Sequence, residues 1–324
     1  MTQAFALLIT AMALLLGSSA HAAEDFPNKP VTLVTPFSAG SGPDAVLRLI
    51  AEKLGKTWNQ RVLIENRPGG GGFIAIDAAK QKAADGYTLL QLDSEHLAAL
   101  PHLYRSRNFE TLKTFEPVAA LFRTPFLVAV ASDSKWKSMS DLIVSARAKP
   151  GEVTFGSWGV GSPGHLGGEQ LEMLAGVQMQ HVPYREVSQL YTSVGSGDLA
   201  WSFATLPSSQ GAYKAGKVRY LAVAASKRLA QVPEVPTVAE SGGPAGFEVN
   251  SFAVLVAPQG LPAAVRARIN ADVQKAMADQ EVKSRFDSFA FETLSWSADE
   301  IERQAALKSK VYGELVKRKN ITLE

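Results

Sequence analysis

Short β-branched apolar runs alternate along this chain with longer stretches whose apolar residues recur at helical spacing. Val31-Thr32-Leu33-Val34 has the character of a buried parallel strand, and Val46, Leu47, Ile50 and Leu54 then share one helical face. Between them, residues 35–44 (TPFSAGSGPD) read as a loop that opens a helix, with Pro43 in the first turn, where a missing N–H costs nothing. The same grammar repeats in a strand over 62–66, a glycine loop at Gly69 to Gly72, a helix over 74–83, an Asp85-Gly86 turn and a strand over 87–92. Such alternation predicts a parallel sheet covered by helices, and right-handed crossovers place the Ser38, Gly69 and Asp93 loops on one rim.

From 115 to 132 the chain is almost continuously apolar, the pattern of an extended crossing into a second lobe. That lobe is expected to hold helices over 139–148 and 188–194 and strands over 153–155, 199–203 and 220–224. It also holds a short strand at His181 and Val182, a helix beginning near Ser162 and another from Pro207. The loop from Gly156 to His165 repeats the design of the Ser38 loop, since Ser162 can cap a helix and Pro163 can start it. Residues 249–258 read as the return crossing, so two strands form a hinge. Two helices close the chain, over 262–278 with Val265, Ile269 and Val273 on one face, and over 297–319 with Ser297 as cap and Glu300 three positions on. Both are expected to pack on the first lobe. The expected division is a signal peptide at 1–22, a first lobe of 23–124 with 249–324, and a second lobe of 125–248.

With 324 residues, 46% hydrophobic and 20% charged, the chain has globular composition and the length for two α/β lobes. A net charge of +2, without basic runs interleaved with aromatics, makes nucleic acid an unexpected partner. Phe5 to Leu16 is apolar and Ala20-His21-Ala22 follows as a small-x-small triplet, which predicts export with cleavage between Ala22 and Ala23. The absence of Lys and Arg from Met1-Thr2-Gln3-Ala4 is atypical for such a signal. No later segment approaches the ~20 apolar residues of a membrane helix. Zero Cys leaves stability to core burial.

The two glycine loops carry the candidate chemistry. Gly40 and Gly42 let backbone approach a ligand closely, and a helix start adds roughly half a positive charge, which suits a carboxylate or phosphate. A plain strand-to-helix turn is the alternative. Gly159 to Gly164 satisfies GxGxxG, but only Glu186 offers the acidic partner of a dinucleotide site, and an exported chain meets little nicotinamide cofactor. No Gly-x-Ser-x-Gly elbow and no metal-ligand spacing occurs, so no cofactor, metal or catalytic residue is expected. His165, in a helix's first turn, either donates to a bound anion or serves packing. His181 reads as a satisfied core residue. Asp44 would compete for its own helix end, and is expected to bind that end or a water rather than ligand. Phe37, Trp158 and Tyr184 either wall the cleft or belong to lobe cores.

Six ordered motifs carry a resemblance: Pro36-Phe37 through Gly42-Pro43-Asp44, Glu65 to Gly72, Asp85-Gly86-Tyr87-Thr88-Leu89, Ser157-x-Gly159-x-Gly161-Ser162-x-x-His165, His181-Val182-Pro183-Tyr184, and Val235 to Glu240. Over nearly the whole mature chain the sequence resembles the Bug-type extracytoplasmic solute receptors of tripartite tricarboxylate transporters. The resemblance implies an α/β, periplasmic-binding-protein-like (type II) fold, two doubly wound lobes joined by a two-strand hinge, in the periplasm. It implies a receptor that closes on a small carboxylate and hands it to integral-membrane permease subunits, with Phe37, Ser38, Gly40, Gly42, Asp44, Ser157, Gly161, Ser162 and His165 at the ligand; a monomer is expected. Where the family commonly has an acidic-amide pair this chain has Ala204-Thr205. Ser41, Trp158 and Arg185-Glu186 also depart, and Asp93 and Glu95 would put negative charge on the first-lobe rim. These departures favour a mono- or dicarboxylate with an apolar or aromatic body over citrate. A sensor docking on a signalling partner and a periplasmic enzyme with His165 as base are the rival readings. The enzyme lacks a titrating partner that spacing can place.

Overall fold

The computed structural model describes residues 26–323, so the expected signal at 1–22 lies outside the described residues. Strands β1 (Val31–Thr35), β2 (Val62–Asn66) and β3 (Thr88–Asp93) are parallel, with Val31 opposite Val62 and Leu33 opposite Leu89. Helices α1 (Gly42–Trp58) and α2 (Phe73–Lys80) connect them, and α3 (Ser94–Ala98) follows β3 directly. The chain then runs through β4 (Phe115–Pro125) and β5 (Leu127–Ala131), which belong to different sheets.

The second sheet also takes β6 (Thr154–Ser157), β7 (Gln180–Pro183), β8 (Trp201–Ala204) and β9 (Val218–Val223), in the order β7-β6-β8-β5-β9. Helices α4 (Met139–Ala148), α5 (Pro163–Ala175), α6 (Val187–Ser196) and α7 (Leu206–Lys214) cover it. Strand β10 (Asn250–Pro258) returns to the first sheet, followed by α8 (Ala263–Met277), α9 (Gln280–Phe289), the short β11 (Glu292–Thr293) and α10 (Ala298–Lys319). The first sheet has the order β11-β4-β10-β3-β1-β2.

Both sheets are mixed where a parallel sheet was expected, because the crossing strands run out and back. Strand β10 is antiparallel to both β3 and β4, and β5 is antiparallel to both β8 and β9. At the crossing, Phe126 N donates to Val249 O at 3.2 Å and Ala224 N donates to Phe126 O at 2.8 Å.

Each sheet is buried on both faces by strand alternation. In the first, Leu33, Leu89, Leu121 and Leu255 face a core with α1, α8 and α9, while Val34, Leu90, Val254 and Val256 face α2 and the start of α10. In the second, Val128, Phe155, Trp201 and Phe203 form one core, and Leu127, Ala129 and Ala204 pack against α6 on the other face. The result is the two-lobe, type II α/β architecture.

Helix α8 packs on the first lobe as expected, but α10 does more. Ile301 and Ala305 are in the first-lobe core, whereas Tyr312, Leu315 and Val316 pack with Leu103 and with Leu166 of α5. The last helix therefore bridges both lobes.

Candidate functional site

The start of α1 is fastened from below. Ser41 caps it, Gly40 takes φ +81°, and Gln91 at the end of β3 accepts from Thr35 Oγ1 at 2.7 Å and donates to Pro43 O at 3.3 Å. Asp44 is 1% exposed. Its Oδ2 accepts from Gly40 N at 2.7 Å and Arg48 Nε at 3.0 Å, and its Oδ1 accepts from Asn66 Nδ2 at 2.7 Å. Asn66 Nδ2 also donates to Phe37 O at 2.9 Å. Burial would raise the Asp44 pKa, but the bonds from Arg48, Asn66 and Gly40 outweigh it and hold the carboxyl below its ordinary range. The carboxylate is spent on shaping the loop, while Ser38 and Gly40 stay exposed.

The loops after β1, β2 and β3 do share a rim. Phe37 meets the His96 ring edge-on at 5.9 Å, and a methyl group at Gly72 would lie 2.3 Å from His96 Cδ2. The expected negative rim is corrected, however. Asp93 Oδ1 accepts from Glu95 N at 3.1 Å and His96 N at 3.0 Å, capping α3, and lies 2.5 Å from His96 Nδ1. Burial alone would discharge His96, but the Asp93 carboxylate outweighs it and raises the imidazole pKa. Glu95 is buried, accepting from Ser251 Oγ at 2.5 Å, Tyr312 OH at 2.7 Å and Ser94 Oγ at 3.0 Å. Neither acid offers free charge to the rim, because a helix start and a buried hydroxyl cluster consume them.

The second loop is built on two imidazoles. Ser157 Oγ accepts from Gly159 N at 3.2 Å and lies 2.7 Å from His181 Nε2. Ser162 caps α5, accepting from His165 N at 3.4 Å and donating to Gly159 O at 2.7 Å. Gly161 N donates to His165 Nδ1 at 3.1 Å. The His165 ring is therefore turned inward and buried, tilted against the His181 ring, with Nε2 3.6 Å from Glu169 Oε1. Burial opposes ionisation of Glu169, but His165 and Lys319 overcome it and hold the carboxyl at about 2. Sequence reading had no place for Glu169 or Lys319. The i,i+4 spacing from His165 to Glu169 was available as a signal, but nothing local points to Lys319.

Trp158 stacks on Phe126 at 5.7 Å, and its ring would lie 3.3 Å from a methyl group at Gly164. It thus joins the loop to the residue between β4 and β5, where the chain crosses from one sheet to the other. Tyr184 is half-buried beside the second-lobe core, and Thr205 caps α7 through Ser208 N at 3.3 Å.

Each loop touches the opposite lobe. A methyl group at Gly42 would sit 3.3 Å from Pro207 Cγ at the start of α7, and one at Gly161 would sit 2.6 Å from Leu103 Cδ1. Two cavities, of about 580 and 450 Å³, lie away from both loops, one beside Tyr191 and Lys217, the other beside His102 and Ser309. Among the described residues no cluster of three His, Asp or Glu is placed to hold a metal ion, and no helix is long and apolar enough to cross a membrane.

Residues 46–321 match the family described as tripartite tricarboxylate transporter family receptor. A Pseudomonas sp. protein, the UPF0065 protein in the tcbD-tcbE intergenic region, is 34% identical over 268 residues, covering 83% of this chain and 80% of its own. Among solved structures, R. palustris Rpa4515 with adipate matches at TM-score 0.84 and 30% identity, covering 92% of this chain and 100% of that one. MatC from Rhodopseudomonas palustris with bound malate matches at TM-score 0.80 and 27% identity over 90% and 100%. The periplasmic binding protein BugD matches at TM-score 0.80 and 26% identity over 92% and 100%.

Proposed function

Because this chain belongs to the tripartite tricarboxylate transporter receptor family, we propose that it is a periplasmic receptor for a small organic mono- or dicarboxylate. It captures the ligand by closing its two lobes and delivers it, as a monomer, to membrane permease subunits. The observation that carries the closure is that two Ser-capped helix starts, one per lobe, each abut the other lobe, Gly42 at Pro207 and Gly161 at Leu103. Helix starts attract carboxylates through their N–H groups and dipole. One carboxylate group docks at the Phe37, Ser38, Gly40 and Gly42 loop. Closure then adds the Ser157, Gly161, Ser162 and His165 loop, so the ligand selects the closed state through contacts only that state makes.

Asp44 serves as the organiser of the first loop rather than as a ligand contact, since a second carboxylate there would repel the ligand. Each charge-assisted contact contributes about 1.5–3 kcal/mol. A few of them, net of ordering costs, reach the roughly −8 kcal/mol of micromolar affinity. The relatives solved with adipate and with malate support the ligand class.

Titration calorimetry with adipate and malate, with the compound recovered afterwards, tests this reading. Saturable binding with the compound unchanged is expected. Consumption of the compound, or no binding by any small carboxylate, overturns it.

A further inference from the structure

We infer that Lys319, on the last helix of the first lobe, is a positioning residue for the ligand loop of the second lobe, acting through Glu169 and His165. The inference rests on the receptor reading for its consequence in binding, though not for its geometry. Helix α10 is anchored on the first lobe by Ile301 and Ala305 in the core and by Tyr312 OH, which donates to Glu95 Oε1 at 2.7 Å. Lys308 Nζ adds a bond to Asn250 O at 2.6 Å, at the return crossing. Seven residues beyond Tyr312 the helix reaches α5, where Lys319 Nζ lies 2.9 Å from Glu169 Oε2 and also donates to Glu172 Oε2.

Glu169 and Glu172 are three apart on α5, both largely buried, and their charges repel without the ammonium between them. Held there, Glu169 presents Oε1 to His165 Nε2 at 3.6 Å. His165 Nδ1 accepts from Gly161 N, so in the neutral ring the proton sits on Nε2, facing Glu169. The carboxylate charge thus favours, through space, the tautomer whose Nδ1 can accept from the Gly161 amide. The His181 ring lies against that of His165, centroids 4.1 Å apart, and Leu323, whose N donates to Leu103 O at 2.9 Å, stands behind Gly161. One ammonium on one lobe therefore sets the shape of a helix start on the other.

The test is hydrogen exchange on the ligand-free mature chain, followed by titration with adipate as probe. Lys319→Met is expected to speed exchange at the Gly161 amide and weaken adipate binding, each by about tenfold, the scale of one lost hydrogen bond. Lys319→Arg is expected to restore both, and Glu169→Gln, which spares the Glu172 contact, to reproduce the Gly161 effect. Unchanged Gly161 exchange in Lys319→Met, or an equal rise along all of α5, overturns the inference. Exchange needs no ligand, so if the wild-type chain binds neither adipate nor any other small carboxylate the receptor reading falls while the positioning role is still decided.

Discussion

The imidazoles of His165 and His181 lie against each other, centroids 4.1 Å apart and tilted by 33°. Burial first, and the neighbouring His165 second, push the His181 pKa from its ordinary 6.5 down to about 4. The Glu169 carboxylate pulls weakly the other way. Between pH 6.5 and about 4 the unfolded chain binds a proton that the folded chain refuses, so stability falls as pH drops through that window and is fully present above it. Below 4.5 Glu169 adds its own loss, because its folded pKa is about 2. Urea unfolding from pH 7 to pH 4 should show His181→Asn losing less stability than wild type. Parallel curves would contradict it.

Asp44 offers a second, independent prediction. Its three bonds come from a backbone N–H, a guanidinium and an amide, and Asn cannot accept all three as a charge does. Asp44→Asn should cost about 1.5–3 kcal/mol by urea unfolding. The native pKa is depressed, so this contribution is present above the ordinary carboxylate range and disappears as pH falls below it. A variant as stable as wild type at pH 7 would show that the loop holds itself.

Local chemistry was legible in the sequence and long-range chemistry was not. Ser162 and Ser297 cap their helices as expected, and Ser41 caps α1 by the same local rule, because capping is settled within four residues. Helix α9 escaped notice, since Val282 and Phe286 alone are its buried residues and a single turn's spacing is a weak signal. Asp93 and Glu95 looked like rim charges because nothing near them in sequence announces Ser251 or Tyr312. For the same reason Leu103 against Gly161, and Lys319 against Glu169, could come only from the folded chain.

The two loop glycines should respond differently to a methyl group. Gly161 has φ +83° and only 2.6 Å to Leu103 Cδ1, so Gly161→Ala combines about 1–2 kcal/mol of backbone strain with a wedge between the lobes. Gly42 has no such dihedral, and its methyl would meet Pro207 and Phe291 at 3.3 Å, a contact relieved by a shift of a few tenths of an ångström. Calorimetry with adipate should therefore show about a tenfold or greater loss for Gly161→Ala and a few-fold loss for Gly42→Ala. The reverse order would mean that the lobes do not close at Leu103.

The hydroxyl cluster around Glu95 lies beside the return strand and can be dissected by coupling. Tyr312 is buried, and burial, with Glu95 second, raises its pKa so that the phenol remains a donor. Tyr312→Phe conserves volume but removes the bond to Glu95 Oε1 at 2.7 Å, leaving Ser251 and Ser94 to satisfy the carboxylate. A lost bond to a charged acceptor costs about 1.5–3 kcal/mol, so the urea midpoint should fall accordingly. Lys308 stands 3.6 Å from the same carboxylate and donates to Tyr312 OH at 3.2 Å, so Lys308→Met acts on the group that Tyr312→Phe already weakens. The double variant should then differ from the sum of the singles by about 0.5 kcal/mol or more, since residues sharing a partner do not add. Additive losses would show that Lys308 acts only through Asn250 O at the crossing, and that the cluster and the crossing bond are separate devices.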